Sequence, residues 1–320
     1  MLQPTRLEAR VDSHARRLLA RAPSTGWRGV LVEVGVFLAK QAWACIFGAA
    51  ILVAIVVVRT LYPADLLLTR NDLLTLIAVA IQVVMLVTRL EAGRELWVIM
   101  LFHVTGTVME LFKTDAGSWQ YDAGGVLRIA GVPLFSGFMY AAVGSYMVRV
   151  YRLFDLTFVR YPPVWATIVA AAAIYANFFT HHWFWDARWV LTALVVALWG
   201  LTVMHARVWR RTIRLPLIPV FAGVAVFIWI AENIGTITGA WLYPNQVDGW
   251  QLVSLSKLSS WFLLMIISVV LVTVVYPPRR VTSGSRAGGS ALSSDSSAAA
   301  SATVGDGRIA RVGGAEPPRA

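Results

Sequence analysis

Cysteine, histidine and charge are all scarce in this chain, and each scarcity excludes something. One cysteine, Cys45, rules out an internal disulfide and any cysteine-rich metal site; it is expected to pack inside the first apolar span. Five histidines are too few for the histidine-box di-iron oxidases of membranes, and no HxxxH or HExxH spacing is present. His103, Glu110, His181, His182, Asp186 and Glu232 could between them supply three or four ligands, but without such spacing no metal and no cofactor is predicted. Charged residues make up 14% of the 320 residues against 58% apolar, with a mean hydropathy of +0.66. A water-soluble domain of that length needs far more charge to cover its surface. The net charge of +11 is not gathered into a face as a nucleic-acid partner requires. The basic residues sit at the ends of apolar runs, where membrane topology needs them.

Apolar sequence is what the chain has in quantity. Runs lie at about 41–58, 73–88, 96–112, 131–148, 164–180, 189–206, 215–234 and 255–276, near the length that crosses a bilayer core. In lipid they must be helices, because every backbone N–H and C=O needs an internal partner. A membrane β-barrel would show short alternating segments instead. The expected fold is an all-α polytopic transmembrane bundle of about eight spans, with the lipid bilayer as its partner.

Basic residues then orient the spans. Arg6, Arg10, Arg16, Arg17, Arg21, Arg28 and Lys40 precede the first run. The next three loops carry Arg59 and Arg70, then Arg89 and Arg94, then Lys113 and Arg128. After them come Arg149, Arg152 and Arg160, then Arg188, then Arg207, Arg210, Arg211 and Arg214. The loop after the seventh run has no basic residue, and Arg279 and Arg280 follow the eighth. The excess falls on the side of the two termini, which places both in the cytoplasm. Residues 1–29 lack the continuous apolar core of a signal peptide. Leu7, Val11, Ala15, Leu18 and Leu19 instead fall on one side of a basic amphipathic helix suited to a lipid surface. The membrane domain is expected over 30–280. Residues 281–320, rich in Ser, Gly and Ala, are predicted to be a disordered cytoplasmic tail.

One motif occurs twice. Glu110, Thr114, Gly117, Ser118, Trp119 and Tyr121 close the third run; Glu232, Thr236, Gly239, Ala240, Trp241 and Tyr243 close the seventh. Both read E-x3-T-x2-G-[SA]-W-x-Y. The copies lie four spans apart, so their helices run the same way, and a 4+4 parallel internal repeat is expected. Glu and Thr four residues apart share a helix face. The glycine can end the helix in a left-handed conformation. Trp and Tyr two apart on an extended segment point the same way, at the depth of an aromatic belt. An acid inside a span costs roughly 2.5–3.5 kcal/mol, taking Asp as the guide, and usually faces an interior cavity.

Glu110, Glu232 and His103 are therefore the candidate catalytic residues, with His103, Thr107, Glu110 and Thr114 on one helical stripe. Trp119, Tyr121, Trp241, Tyr243, Thr114, Thr236, Tyr140 and Lys257 are the candidate substrate contacts. Lys257 opens the eighth span and is placed to neutralise one glutamate. The small residues of the fourth span, among them Gly137, Gly144 and Ser145, are expected to permit tight helix packing.

Phe112-Lys113-Thr114, Gly117-Ser118-Trp119 and the stretch from Gly131 through Pro133 and Gly137 to Tyr140 resemble the YoaT-like bacterial integral membrane proteins. So do Gly144-Ser145-Tyr146, Arg152 to Asp155 and Arg160 to Pro163. The resemblance covers about residues 30–280. It implies a bacterial inner-membrane location; the family has no assigned function or site. The first motif copy, with the Gly-Val-Pro that follows it, is also similar to membrane carotenoid hydratases and related isoprenoid enzymes, though the pattern departs between Gly117 and Gly131. There, acids are thought to protonate a carbon–carbon double bond.

Three functions fit these residues. The favoured one is an intramembrane enzyme acting on a lipid or isoprenoid, with the glutamates as general acids. The second is a proton-coupled transporter of a small solute, with one glutamate per half. The third is a non-catalytic scaffold. Oligomeric state is not legible.

Overall fold

The computed structural model describes residues 5–280 apart from 21, 24, 64–65 and 92; the expected disordered tail lies outside the described residues. Ten helices follow in chain order among the described residues: α1 (Arg6–Leu19), α2 (Gly26–Ala44), α3 (Ile46–Leu61), α4 (Arg70–Val87), α5 (Arg94–Asp115), α6 (Phe135–Leu153), α7 (Val164–Thr180), α8 (Arg188–Trp199), α9 (Leu217–Ile237) and α10 (Lys257–Val275). Strands β1 (Arg128–Ile129) and β2 (Val132–Pro133) form a hairpin before α6; β3 (Thr157–Val159), β4 (Val203–Arg207) and β5 (Thr212–Pro216) form a small antiparallel sheet.

The N-terminal segment forms the helix α1. Thr5 and Glu8 cap it reciprocally: Thr5 N–H donates to Glu8 Oε2 at 2.8 Å and Glu8 N–H to Thr5 Oγ1 at 3.2 Å. Leu7 and Val11 are exposed along it.

Among the described residues, four helices are long and apolar enough to cross a membrane: α4, α5, α9 and α10. The α2–α3 pair, bent by 65°, makes a fifth if it counts as one span. The bend falls at Cys45, which is exposed there and not packed in a span as expected. The sixth expected run, 189–206, is not one helix. α8 has 12 residues, about 18 Å of rise against a core of roughly 30 Å. From Val203 the chain alternates its burial, with Met204 and Ala206 inward, and pairs with β5. Hydropathy registers apolar content, whereas this segment has the period of a strand. The fourth run also starts later than expected, because 128–133 is taken by the β1–β2 hairpin.

Apolar side chains gather in two main cores. One joins α3, α4, α5 and α6 around Phe47, Ile55, Leu74 and Phe135; the other joins α7, α8, α9 and α10 around Trp199, Phe221 and Ile266. Trp241 belongs by sequence with the second group but packs in the first core. Outward, large apolar side chains are bare: Trp97 is 70% exposed, Trp165 70% and Phe227 75%. Such a surface suits lipid and not water.

Candidate functional site

Both motif helices end in the same way. Past α5, Gly117 takes φ 67°, its N–H donates to Thr114 O (3.1 Å), and Ser118 N–H donates to Lys113 O (2.8 Å). Past α9, Gly239 takes φ 69°, its N–H donates to Thr236 O (3.0 Å), and Ala240 N–H donates to Gly235 O (2.9 Å). Glycine adopts this conformation without a Cβ penalty. The chain then doubles back beside its own helix, and this return creates each cluster.

In the first cluster Trp119 Nε1 and Tyr121 OH both donate to Glu110 Oε2 at 2.8 Å. In the second Trp241 Nε1 and Tyr243 OH both donate to Glu232 Oε1 at 2.7 Å. Each glutamate is buried, where each hydrogen bond contributes about 0.5–1.5 kcal/mol and an unmade one costs more. Burial, and then the neighbouring glutamate, push the Tyr121 and Tyr243 hydroxyls well above their ordinary pKa, so both remain donors.

The two returning segments meet. Gln120 N–H donates to Leu242 O (2.9 Å) and Leu242 N–H to Gln120 O (3.0 Å), an antiparallel bridge between the copies. The Trp119 and Tyr243 rings stand nearly perpendicular across it, 6.2 Å apart.

Glu110 has a third donor: Tyr140 OH, from α6, reaches Oε1 at 2.8 Å. Gly106 makes this possible, since a Cβ there would lie 2.2 Å from Tyr140 Cγ. Gly235 plays the matching part for Trp241, whose Cη2 would lie 2.1 Å from an added Cβ. Counting along the chain, the interval between copies (232 − 110 = 122) also relates α6 to α10, each 19 residues long. At that interval Tyr140 corresponds to Phe262, and Gly235 to Lys113.

Tyr140 also lines a cleft between α5–α6 and α9–α10, the one member of the Glu110 cluster to do so. The cleft has a volume of ≈ 60 Å³ and apolar walls, among them Phe102, Met109, Trp261 and Leu271. Several water-sized groups fit such a space.

The remaining candidates are spread out. His103 packs edge-on against Phe138 at 4.6 Å and beside Gly137; the stripe does not hydrogen-bond it to Glu110. Thr114 Oγ1 is buried without a partner among the described residues, whereas Thr236 Oγ1 accepts from Trp250 Nε1 at 3.1 Å. Lys257 lies within electrostatic reach of Glu232 but makes no ion-pair contact with it among the described residues; its Nζ sits over the Tyr243 ring at 4.6 Å. Among the described residues no three His, Cys, Asp or Glu side chains are grouped to hold a metal ion.

Two clusters are at most partly legible in the sequence: His181, His182, Asn177, Asp186 and Lys257 fall on one side of the expected topology, but the place of Lys113 among them has no local signal. Where α5 and α7 stop, Lys113 Nζ lies 3.0 Å from His182 Nε2 and 3.5 Å from His181 Nε2. At the other end of α5, Arg152 bridges Glu8 of α1 (2.8 Å) and Glu95 (3.1 Å), all buried. Arg149 pairs with Glu91 at 3.8 Å, and Ser145, expected to serve only packing, donates to Glu91 Oε1. These arginines counted in the sequence as topology markers, and nothing local distinguishes a buried one.

The comparisons with known proteins give a family and no activity. The chain belongs to the family described as Protein of unknown function (DUF817), whose pattern matches residues 33–269. It is 45% identical over 226 residues to the uncharacterized protein YoaT of Bacillus subtilis (strain 168), covering 71% of this chain and 85% of that one. No solved structure matches it.

Proposed function

We propose that the chain is a polytopic inner-membrane protein, both termini cytoplasmic, that isomerises a double bond in a small lipid-soluble molecule of isoprenoid class. The observation that carries this reading is Tyr140, which at once lines the interhelical cleft and donates to Glu110. In the relay a protonated Glu110 turns its carboxyl O–H toward the Tyr140 oxygen, reversing that bond, while Tyr140 gives its own hydrogen to a carbon–carbon double bond. This leaves a cation on the substrate and a carboxylate on Glu110. The π faces of Tyr140, Phe102 and Trp261 stabilise that cation, and return of a neighbouring proton to the same pair completes the isomerisation without a co-reactant. The charge asymmetry of the loops supports the orientation. The shared 19-residue length of α6 and α10 supports an internal 4+4 repeat.

A proton-coupled transporter is the second reading, favoured by the meeting of two acid clusters at one backbone bridge. Lipid extracts from a host lacking the gene, complemented with wild type, Glu110→Gln, Glu232→Gln or Tyr140→Phe at matched abundance, separate the two by mass spectrometry. The enzyme reading expects a lipid-soluble product with wild type that is lost with Glu110→Gln and Tyr140→Phe. Identical extracts combined with altered solute uptake would establish transport; no change in either leaves a scaffold.

A further inference from the structure

Lys113 closes α5 and Lys257 opens α10, and the two approach closely enough to repel each other. Neither forms an ion pair among the described residues. Lys113 is only 4% exposed, held over the Phe178 ring at 4.2 Å and against the two imidazoles. His181 Nδ1 lies 3.0 Å from Asn177 O, which sets the proton there and turns the Nε2 lone pair to Lys113. Of the nearby carboxylates, Asp186 is engaged by Arg188 at 2.5 Å and Glu110 by its three donors, whereas Glu232 takes Trp241 and Tyr243 on one oxygen and its charge reaches Lys257 without an ion-pair contact. Lys113 is buried and Lys257 half-buried, and although Asp186 and Glu232 act on them at longer range, ammonium groups held this way without a paired anion are costly.

Their position relative to the cleft supplies the rest. Met109 and Trp261 line it. Lys113 is four residues beyond Met109, and Lys257 four before Trp261. Each lysine therefore stands on the cleft-lining face of its helix, about 6 Å further along the axis. From Trp261 to Leu271 the cleft follows α10 for about 15 Å. Trp261 Nε1 is buried with no partner among the described residues.

We propose that this is a binding site for an amphiphile with a phosphate head, its apolar chain in the cleft and its phosphate between Lys113, Lys257 and the two histidines. The ammonium groups neutralise the phosphate, and His181 and His182 add donors once they take up a proton from it or from water. The assignment rests on the function proposed above for the cleft and names its substrate class.

The test uses the full chain in phosphatidylcholine nanodiscs, titrated with farnesyl phosphate, farnesol and inorganic phosphate, with tryptophan fluorescence as readout. Farnesyl phosphate is expected to bind at least tenfold more tightly than either of the others. The double variant Lys113→Met, Lys257→Met should bring it to the Kd of farnesol and leave farnesol unchanged, whereas Lys113→Arg, Lys257→Arg keeps the preference. Equal binding of farnesol and farnesyl phosphate by wild type overturns the head site. Equal binding of inorganic phosphate overturns the amphiphile. Tyr140→Phe separates the two proposals: it should make no product while the preference for farnesyl phosphate over farnesol, set by the lysines, is retained. If wild type binds the amphiphile and makes no product, the binding site stands and the chemistry falls.

Discussion

The two clusters share a helix stop, a return of the chain and a pair of aromatic donors, yet they differ at two positions. At the first, Glu110 uses both carboxylate oxygens for three donors; at the second, Glu232 uses one oxygen for two. The first helix carries Lys113 where the second carries Gly235. Gly235 lets Trp241 cross into the opposite core, so the second copy serves packing between the helix groups. The first keeps a lysine at its mouth and a tyrosine on the cleft. Common backbone geometry thus supports one copy that ties the cores together and one whose tyrosine faces the cleft.

This comparison breaks most visibly at the glycines. Gly235→Ala should expel Trp241 from the first core, at a cost on the order of 3–5 kcal/mol as for a buried Trp truncation, read as a fall in detergent-solubilised Tm. A neutral result would mean that Trp241 repacks without loss and is not the tie between the cores. Next come the acids. Glu110→Gln removes one of two acceptor oxygens in use, so one donor is orphaned and about 1–3 kcal/mol is lost. Glu232→Gln can keep its carbonyl at the Oε1 position and should cost under about 1 kcal/mol. Equal destabilisation of the two would erase the distinction between the copies. Tyr140→Phe removes a single hydrogen bond, about 1 kcal/mol, and leaves the second cluster untouched by near-ultraviolet circular dichroism.

The smallest effect is on pH. Burial first, and then the Lys113 charge, hold His181 and His182 below the ordinary histidine pKa of about 6.5. The unfolded chain then binds protons that the folded chain refuses. Stability from this corner is complete above about pH 6.5, declines as pH falls below it, and levels off under the folded pKa. The slope of Tm between pH 5 and 8 should flatten in His181→Gln, His182→Gln; an unchanged slope would assign it to other groups.

Each cluster was half legible in the sequence. Glu, Gly, Trp and Tyr at fixed offsets announce a helix stop followed by a return, because the left-handed glycine and the aromatic pair are local requirements. The bridge from Gln120 to Leu242 has no local signal, since neither side chain takes part in it. Gly106 and Gly235 read as ordinary span glycines until the aromatic ring over each is known. α8 was misjudged because 203–206 is apolar enough for a span while alternating like a strand. Arg149 and Arg152 show a further limit: charge near a span end marks topology in sequence, but only the tertiary structure shows Glu91, Glu95 and Glu8 closing around them.

The bridge between the copies is made of main chain alone, through Gln120 and Leu242. Residue identity there is nearly free: any substitution that retains an amide hydrogen preserves both bonds, and proline alone is barred. The junction between the two helix groups can therefore accumulate mutations without loosening. A saturation library at 120 and 242 should return a flat tolerance profile broken only at proline, beside clusters that accept almost nothing.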